Sequence, residues 1–188
     1  MATTFLQLVN QVNRRLNEVE LTSANFASVT GFYAHAKDAV NASIRYINQS
    51  EFEWPFNHTT KTQTLTANTS RYAFPTDCKV INFDTFRIKE DSTLGNSTTR
   101  ILPMAYEEYL DKFVAQEYNS SSFQGVPTRV IHAPSLEFVL TPEPNAAYIL
   151  VYEYFNFTAD LSAHGDAIVI PDRFAHVITD GAMHYAYL

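Results

Sequence analysis

The sequence predicts an α+β fold, with terminal helices packed as a small bundle beside an antiparallel β-sandwich or barrel that carries one inserted helix. Three observations favour this class. Apolar residues recur at helical spacing near both ends of the chain, they alternate with polar residues in between, and one helical stretch interrupts the alternation. The chain has 188 residues, enough for one sizeable core but few for two independent domains, so we expect a single unit over residues 1–188.

Two amphipathic helices are predicted within residues 1–54, joined by a polar link from Glu20 to about Val29. Thr3 or Thr4 can cap the first helix. Its apolar stripe consists of Phe5, Val9, Val12, Leu16 and Val19. The second helix begins near Thr30, and its stripe consists of Tyr33, Ala36, Val40, Ile44 and Ile47, with Lys37, Asn41 and Asn48 elsewhere. Trp54-Pro55 is expected to close it, because a residue before proline leaves helical geometry.

A β-rich region is predicted over residues 58–170, with an inserted helix at about 104–119. Its strands are expected near residues 61–67, 72–74, 79–89, 98–102, 127–133, 136–142 and 147–156. A last helix, 171–188, starts after Pro171 and joins the helical part. The apolar residues that it can bury are Phe174, Val177 or Ile178, Ala182 and Tyr185. It reaches Leu188 without a stop signal, so we expect the natural chain to extend further.

Composition excludes several classes of function. The net charge is −7, and the basic residues are scattered, which is unlike a nucleic-acid reader with its basic patch. The five glycines lie too far apart for a nucleotide-binding loop, so no cofactor is expected. A single cysteine, Cys78, excludes an intrachain disulfide, and we expect it to be a small buried side chain. No stretch approaches the roughly 20 apolar residues of a membrane span.

Few residues suggest chemistry, and each has a structural interpretation. His176, Asp180 and His184 are spaced to share one helix face and could bind zinc, but a solvated or intersubunit face fits them better. His164 and Asp166 could serve acid–base catalysis, although the surrounding residues are typical of an exposed turn. The carboxylate pairs Glu51/Glu53 and Glu107/Glu108 are typical of solvated surface. We therefore predict no catalytic residue and no metal site.

Aromatic residues make up 14% of the chain, and two groups of them suggest contact surfaces. The segment EFEWPF holds Trp54 and Phe56 where the second helix ends. The strand VYEYFNF is bulky on both faces, with Tyr152 and Tyr154 on one of them. The second face is covered either by helices of the same chain or by a neighbouring subunit, since interfaces favour tyrosine and phenylalanine.

The order of landmarks resembles the head-to-tail adaptor proteins of short-tailed bacteriophages, the tail tubular protein A type. The resemblance covers nearly the whole chain. It rests on the helix that ends in EFEWPF, the strand end RYAFP, the hairpin LEFVLTPEP and the helix start VIPDRF. None of these motifs is diagnostic alone. The family contributes no catalytic residues.

The resemblance implies a structural virion protein, made in the host cytoplasm and placed at the head–tail junction. Such proteins form a ring, usually of twelve copies, that links the portal protein to the tail nozzle protein. Double-stranded DNA passes through the channel without specific binding, and no membrane is involved. The excess of acidic residues fits that role, because negative charge on the protein repels the phosphates of DNA and prevents adhesion. Trp54 and Phe56 would then wedge the helical part against the β part, with Tyr152 and Tyr154 as further candidate contacts.

Two other functions remain open on the sequence. One is a carbohydrate-binding β-sandwich, in which Trp54 and exposed tyrosines would stack on sugars. The other is a metal-dependent hydrolase that uses His176, Asp180 and His184. The polar segments 90–99 and 116–125 are rich in Ser, Asn and Gly, and we expect them to order only in an assembly.

Overall fold

The computed structural model describes residues 2–89, 98–115 and 123–187, and its contacts divide the chain into two compact units. The helical unit comprises Met1–Asn57 and Phe157–Leu188, and the β unit comprises His58–Asn156. The α+β class is confirmed. The segment 157–170 packs on the helices and forms no extended strand, so its contacts belong to the helical unit.

The helices are α1 (Phe5–Arg15), α2 (Phe32–Ser50), α3 (Tyr106–Lys112) and α4 (Ala175–Ala186). The third belongs to the β unit, and the others form the helical unit around one apolar core. Short 3₁₀ turns at Pro55–Asn57 and Asp172–Phe174 follow α2 and precede α4. No helix that the structure describes is long and apolar enough to cross a bilayer.

Helix α1 ends four residues before the predicted stripe does. Asn17 has a φ of 58°, and two backbone bonds, from Asn17 N to Arg14 O and from Glu18 N to Asn13 O, form a Schellman motif. The prediction that Val19 belongs to the buried stripe is wrong, since Val19 is 73% exposed. Asparagine ended the helix here in the place that glycine usually takes.

The link between α1 and α2 is less polar than predicted, because Leu21 and Phe26 reach the core. The ring centroids of Phe26 and Phe5 lie 5.1 Å apart, edge to face. The buried amide of Asn10 holds the link in place. It donates to Leu21 O at 2.9 Å and accepts from Leu21 N at 2.8 Å, like a paired peptide group.

Two asparagines of α2 that were predicted to lie off its apolar stripe are buried. Asn41 repeats the pattern of paired bonds with Leu161, donating to its O and accepting from its N, both at 3.0 Å. Asn48 donates to Thr158 Oγ1 at 2.5 Å and accepts from Asn57 Nδ2 at 2.8 Å. These polar side chains attach the beginning of the segment 157–170 to α2, and farther along the segment Ala167 forms a single β-bridge with Thr4.

The strands of the β unit are β1 (His58–Thr64), β2 (Arg71–Ala73), β3 (Cys78–Lys89), β4 (Thr98–Arg100), β5 (Leu102–Met104), β6 (Gln124–Gly125), β7 (Arg129–Ala133), β8 (Glu137–Thr141), β9 (Glu143–Pro144) and β10 (Ile149–Asn156). They form sheets in the orders β1-β10-β3-β4 and β2-β8-β7-β5, with β6 paired to β9. Most pairs are antiparallel, as predicted, but β5–β7 and β6–β9 are parallel.

The two larger sheets share one aromatic core, as expected of a sandwich. Phe86 of β3 stacks on Tyr152 of β10 with ring centroids 4.6 Å apart, and both rings contact Phe138 of β8 edge to face. A smaller cluster of Tyr109 and Ile131 with their neighbours forms where α3 packs on β7. The described part of the inserted helix is shorter than predicted, and residues 116–122 and 90–97, which hold most of the two polar segments, lie outside the described residues.

We predict that Asn41→Ala destabilises the helical unit by about 2 kcal/mol, because two hydrogen bonds to the Leu161 backbone are lost. Urea denaturation followed by the circular dichroism of the helices measures the change. Gln49→Ala is the matched control, since Gln49 is an exposed amide on the same helix. Equal stability of the two variants would contradict the role assigned to Asn41.

A second prediction concerns the contact of α4 with α2. A Cβ at Gly181 would overlap Ser43 Oγ and lie 3.3 Å from Ser43 Cβ. Gly181→Ala should therefore lower the free energy of unfolding by about 1–2 kcal/mol, although alanine favours helices. In a Ser43→Ala background the cost should fall to below about 0.5 kcal/mol. Gly165→Ala, where no atom lies within 4 Å, is the control, and a loss there as large as at Gly181 would refute the packing argument.

Candidate interaction surface

An apolar groove of about 370 Å³ lies on the helical unit, near the carboxyl end of α2. We call it the apolar groove, and its lining residues are Tyr46, Ile47, Ser50, Trp54, Phe56, Ile170, Phe174 and Val177. Local hydrogen bonds explain how the chain reaches it. Helix α2 ends at Ser50, four residues before Trp54-Pro55, and Glu51 Oε1 then accepts from Phe52 N at 2.8 Å. Asn57 N closes the 3₁₀ turn on Trp54 O at 2.9 Å.

Trp54 and Phe56 stack on each other in this groove, with ring centroids 5.2 Å apart and planes inclined by 20°. The indole N–H of Trp54 and the hydroxyl of Ser50 both donate to Ile47 O at 2.8 Å. These two polar groups therefore already have partners, so a side chain that binds in the groove makes almost only apolar contacts.

The rim of the groove is exposed. Tyr46 is 65% exposed, and Phe174 and Val177 of the carboxyl-terminal segment are each 43% exposed. The sequence predicted that the last helix buries Phe174 and either Val177 or Ile178. Ile178 is buried, as predicted, whereas Phe174, in the 3₁₀ turn before α4, is exposed, and so is Val177. The sequence could have predicted that some apolar side chains of α4 stay exposed, because α4 has more apolar residues than one stripe can bury.

Tyr152 and Tyr154 lie in the β unit and are buried there. Burial raises the pKa of Tyr152, with smaller contributions from Cys78 and Tyr154, and its hydroxyl finds no hydrogen-bond partner among the described residues. The Tyr154 hydroxyl donates to Asp77 at 3.2 Å. The structure thus places the four predicted contact residues as two pairs, one in each unit. Their role as a wedge or a subunit contact stays a prediction.

The turn that holds His164 and Asp166 caps α1. Backbone bonds run from Phe5 N to Asp166 O at 2.8 Å and from Leu6 N to His164 O at 3.1 Å. They satisfy the first two free N–H groups of the helix, and the Thr4 side chain, in a capping box, accepts from the third. The Asp166 carboxylate in turn accepts from the backbone N–H groups of Ser162 and Ala163, both at 2.8 Å.

The other candidates for chemistry have local partners. Asp180 of the proposed zinc row pairs with Arg15, and no group of three or more His, Cys, Asp or Glu placed to hold a metal occurs within residues 2–89, 98–115 and 123–187. Glu108 pairs with Lys112 at 2.7 Å. Burial, with a smaller effect of Asp77, raises the pKa of the half-buried Cys78 thiol to about 11, which keeps it protonated and unreactive.

Comparison with known proteins identifies a family of adaptor proteins. The model of a family described as SU10 adaptor protein matches residues 3–188. A search of curated proteins gives no match. The family match spans both units and therefore applies to nearly the whole chain.

The capping turn predicts a pH dependence. Hydrogen bonds from Ser162 N, Ala163 N and the Ser162 hydroxyl lower the pKa of Asp166. A carboxylate with a lowered pKa stabilises the fold above the pKa of the unfolded chain, near 4, and loses this effect as the pH falls through the folded value. The stability difference between the wild type and Asp166→Asn should therefore be present at pH 7 and shrink below about pH 4.

Urea denaturation at pH 7, 5, 4 and 3 measures this difference. Asp38→Asn, on the exposed side of α2, is the control and should not reproduce the pattern. A difference for Asp166→Asn that stays constant from pH 7 to pH 3 would contradict the assigned bonds.

Proposed function

The chain belongs to the SU10 adaptor protein family, a family of structural adaptor proteins of bacteriophages, and from this membership we propose that it forms a ring between the portal protein and the tail nozzle protein. In this proposal the ring has twelve copies, lies at the head–tail junction of the virion and leaves an axial channel for the genome. Subunits made in the host cytoplasm join the particle during assembly. The family match over residues 3–188 carries the proposal.

Two features of the fold support it. The helical unit and the β unit each have their own core, so each can present a surface to a different neighbour. The apolar groove is suited to protein contact, because the Trp54 N–H and the Ser50 hydroxyl are already bonded and its rim exposes Tyr46, Phe174 and Val177.

The charge of the chain supports passage of DNA without binding. Twenty acidic residues exceed thirteen basic ones, and several of the arginines are paired with carboxylates, such as Arg14 with Glu20 and Arg100 with Asp84. An excess of acidic residues, together with the pairing of part of the arginines, repels the phosphates of DNA, so the duplex should slide rather than adhere.

The geometry favours neither alternative. A sugar site needs exposed ring faces beside free hydrogen-bonding groups, whereas Trp54 stacks on Phe56 and its N–H is bound to Ile47 O. The hydrolase proposal needs Asp180 as a ligand, and that carboxylate pairs with Arg15.

Native mass measurement of the purified chain, alone and mixed with its portal protein, tests the proposal. We expect a ring of many copies, with twelve the proposed number, in the presence of the portal. An unrelated acidic protein in place of the portal is the control and should not promote the ring. A chain that stays monomeric with the portal present would overturn the proposed function.

A further inference from the structure

The hairpin between β7 and β8 carries an unusual apolar side chain at its tip. The register pairs Ala133 with Glu137, which leaves Pro134, Ser135 and Leu136 as the turn. Ser135 and Leu136 have φ values of 68° and 57°, in the left-handed region. Leu136 is also 71% exposed, and its carbonyl is fixed by Phe74 N at 2.8 Å. The turn therefore holds a leucine outward in a defined position.

Leucine is a poor choice for this position if only the hairpin matters. The left-handed region disfavours residues with a Cβ, and glycine or asparagine usually takes it. Single exposed apolar side chains are common on protein surfaces, so the exposure alone says little. Here the exposure coincides with an unfavourable backbone conformation, and both costs would be offset if Leu136 were buried against another molecule.

The apolar groove of the helical unit has the properties that such a side chain needs. Its volume of about 370 Å³ is near the lower end of ligand pockets, roughly 300–1,000 Å³, and accommodates an aliphatic side chain with its neighbours. The N–H of Trp54 and the hydroxyl of Ser50 are occupied by Ile47 O, so a leucine leaves neither of them unpaired. Eight residues line the groove, and none of them carries a charge that would have to be desolvated.

We propose that Leu136 of one copy inserts into the apolar groove of a neighbouring copy. The inference rests on the proposed ring and names a contact that builds it. The tip and the groove are different surfaces of the same chain, so each copy can offer both. Such a heterologous contact passes from copy to copy and closes into a ring when the rotation permits.

Leu136→Asn separates this role from folding. Asparagine tolerates the left-handed conformation, so the variant monomer should melt higher by roughly 2–4 °C, while the fraction of chain in the ring should fall by about tenfold. Val19→Asn, at an equally exposed apolar residue of the helical unit, is the matched control and should leave the ring unchanged. Melting by circular dichroism and native mass measurement with the portal present give the two readings.

A cross-link identifies the partner surface. In a Cys78→Ala background, Leu136→Cys combined with Val177→Cys should give a ladder of disulfide-linked copies under mild oxidation within the ring. The pair Val19→Cys and Val177→Cys should not give this ladder.

Several outcomes would overturn the contact. If the wild type forms the ring and Leu136→Asn forms it equally well, or the ladder is missing, the contact is wrong and the ring remains. A small apolar molecule retained by the wild type and by Leu136→Asn would assign the groove to a ligand instead. A wild-type chain that never assembles with the portal removes both the contact and the proposed function.

Discussion

The helical unit depends on buried asparagine side chains that act as substitutes for peptide groups. Asn10 binds both backbone polar groups of Leu21, and Asn41 does the same for Leu161. A backbone segment that packs on helices without forming a strand would otherwise bury unpaired N–H and C=O groups, which costs more than a typical hydrogen bond returns. With these bonds in place, both irregular segments can contribute apolar side chains to the core.

Buried asparagine bonds also hold two segments that line the apolar groove. Ile170 lies at the end of the segment that Asn41 and Asn48 attach to α2, and it forms one wall of the groove. Phe56 lies beside Asn57, whose side chain donates to Asn48 Oδ1, and forms another. The groove is therefore preformed by the fold of one unit. A preformed apolar surface binds with little ordering cost, which suits a protein that must assemble with neighbours.

Periodicity alone predicted the class, the order of the main elements and most of the strands, because apolar spacing reflects which face is buried. It failed where hydrogen bonds decided the outcome. Asn17 ended α1 in a left-handed conformation, and Glu51 took up the backbone N–H after α2, so Val19 and the true end of α2 were misplaced. Asn41 and Asn48 were placed off the apolar stripe, since no pattern of spacing shows that a distant backbone segment will bind them. The short β6 and β9 were missed because two residues carry no period.

Only part of the candidate surface was predictable from the sequence, because the rest is assembled by packing between helices. Trp54 and Phe56 were recognisable as an excess of aromatic area at a helix end, whereas Tyr46 and Val177 join them only after α2 and α4 have packed. The sequence did not indicate Leu136 as a contact residue, because what distinguishes it is its left-handed backbone conformation. A leucine is not expected in that conformation from sequence. An exposed leucine in ordinary backbone would be unremarkable on any surface. The same leucine in the left-handed conformation is disfavoured in the isolated chain. Burial of its side chain against a neighbouring copy would offset the free energy that this conformation costs.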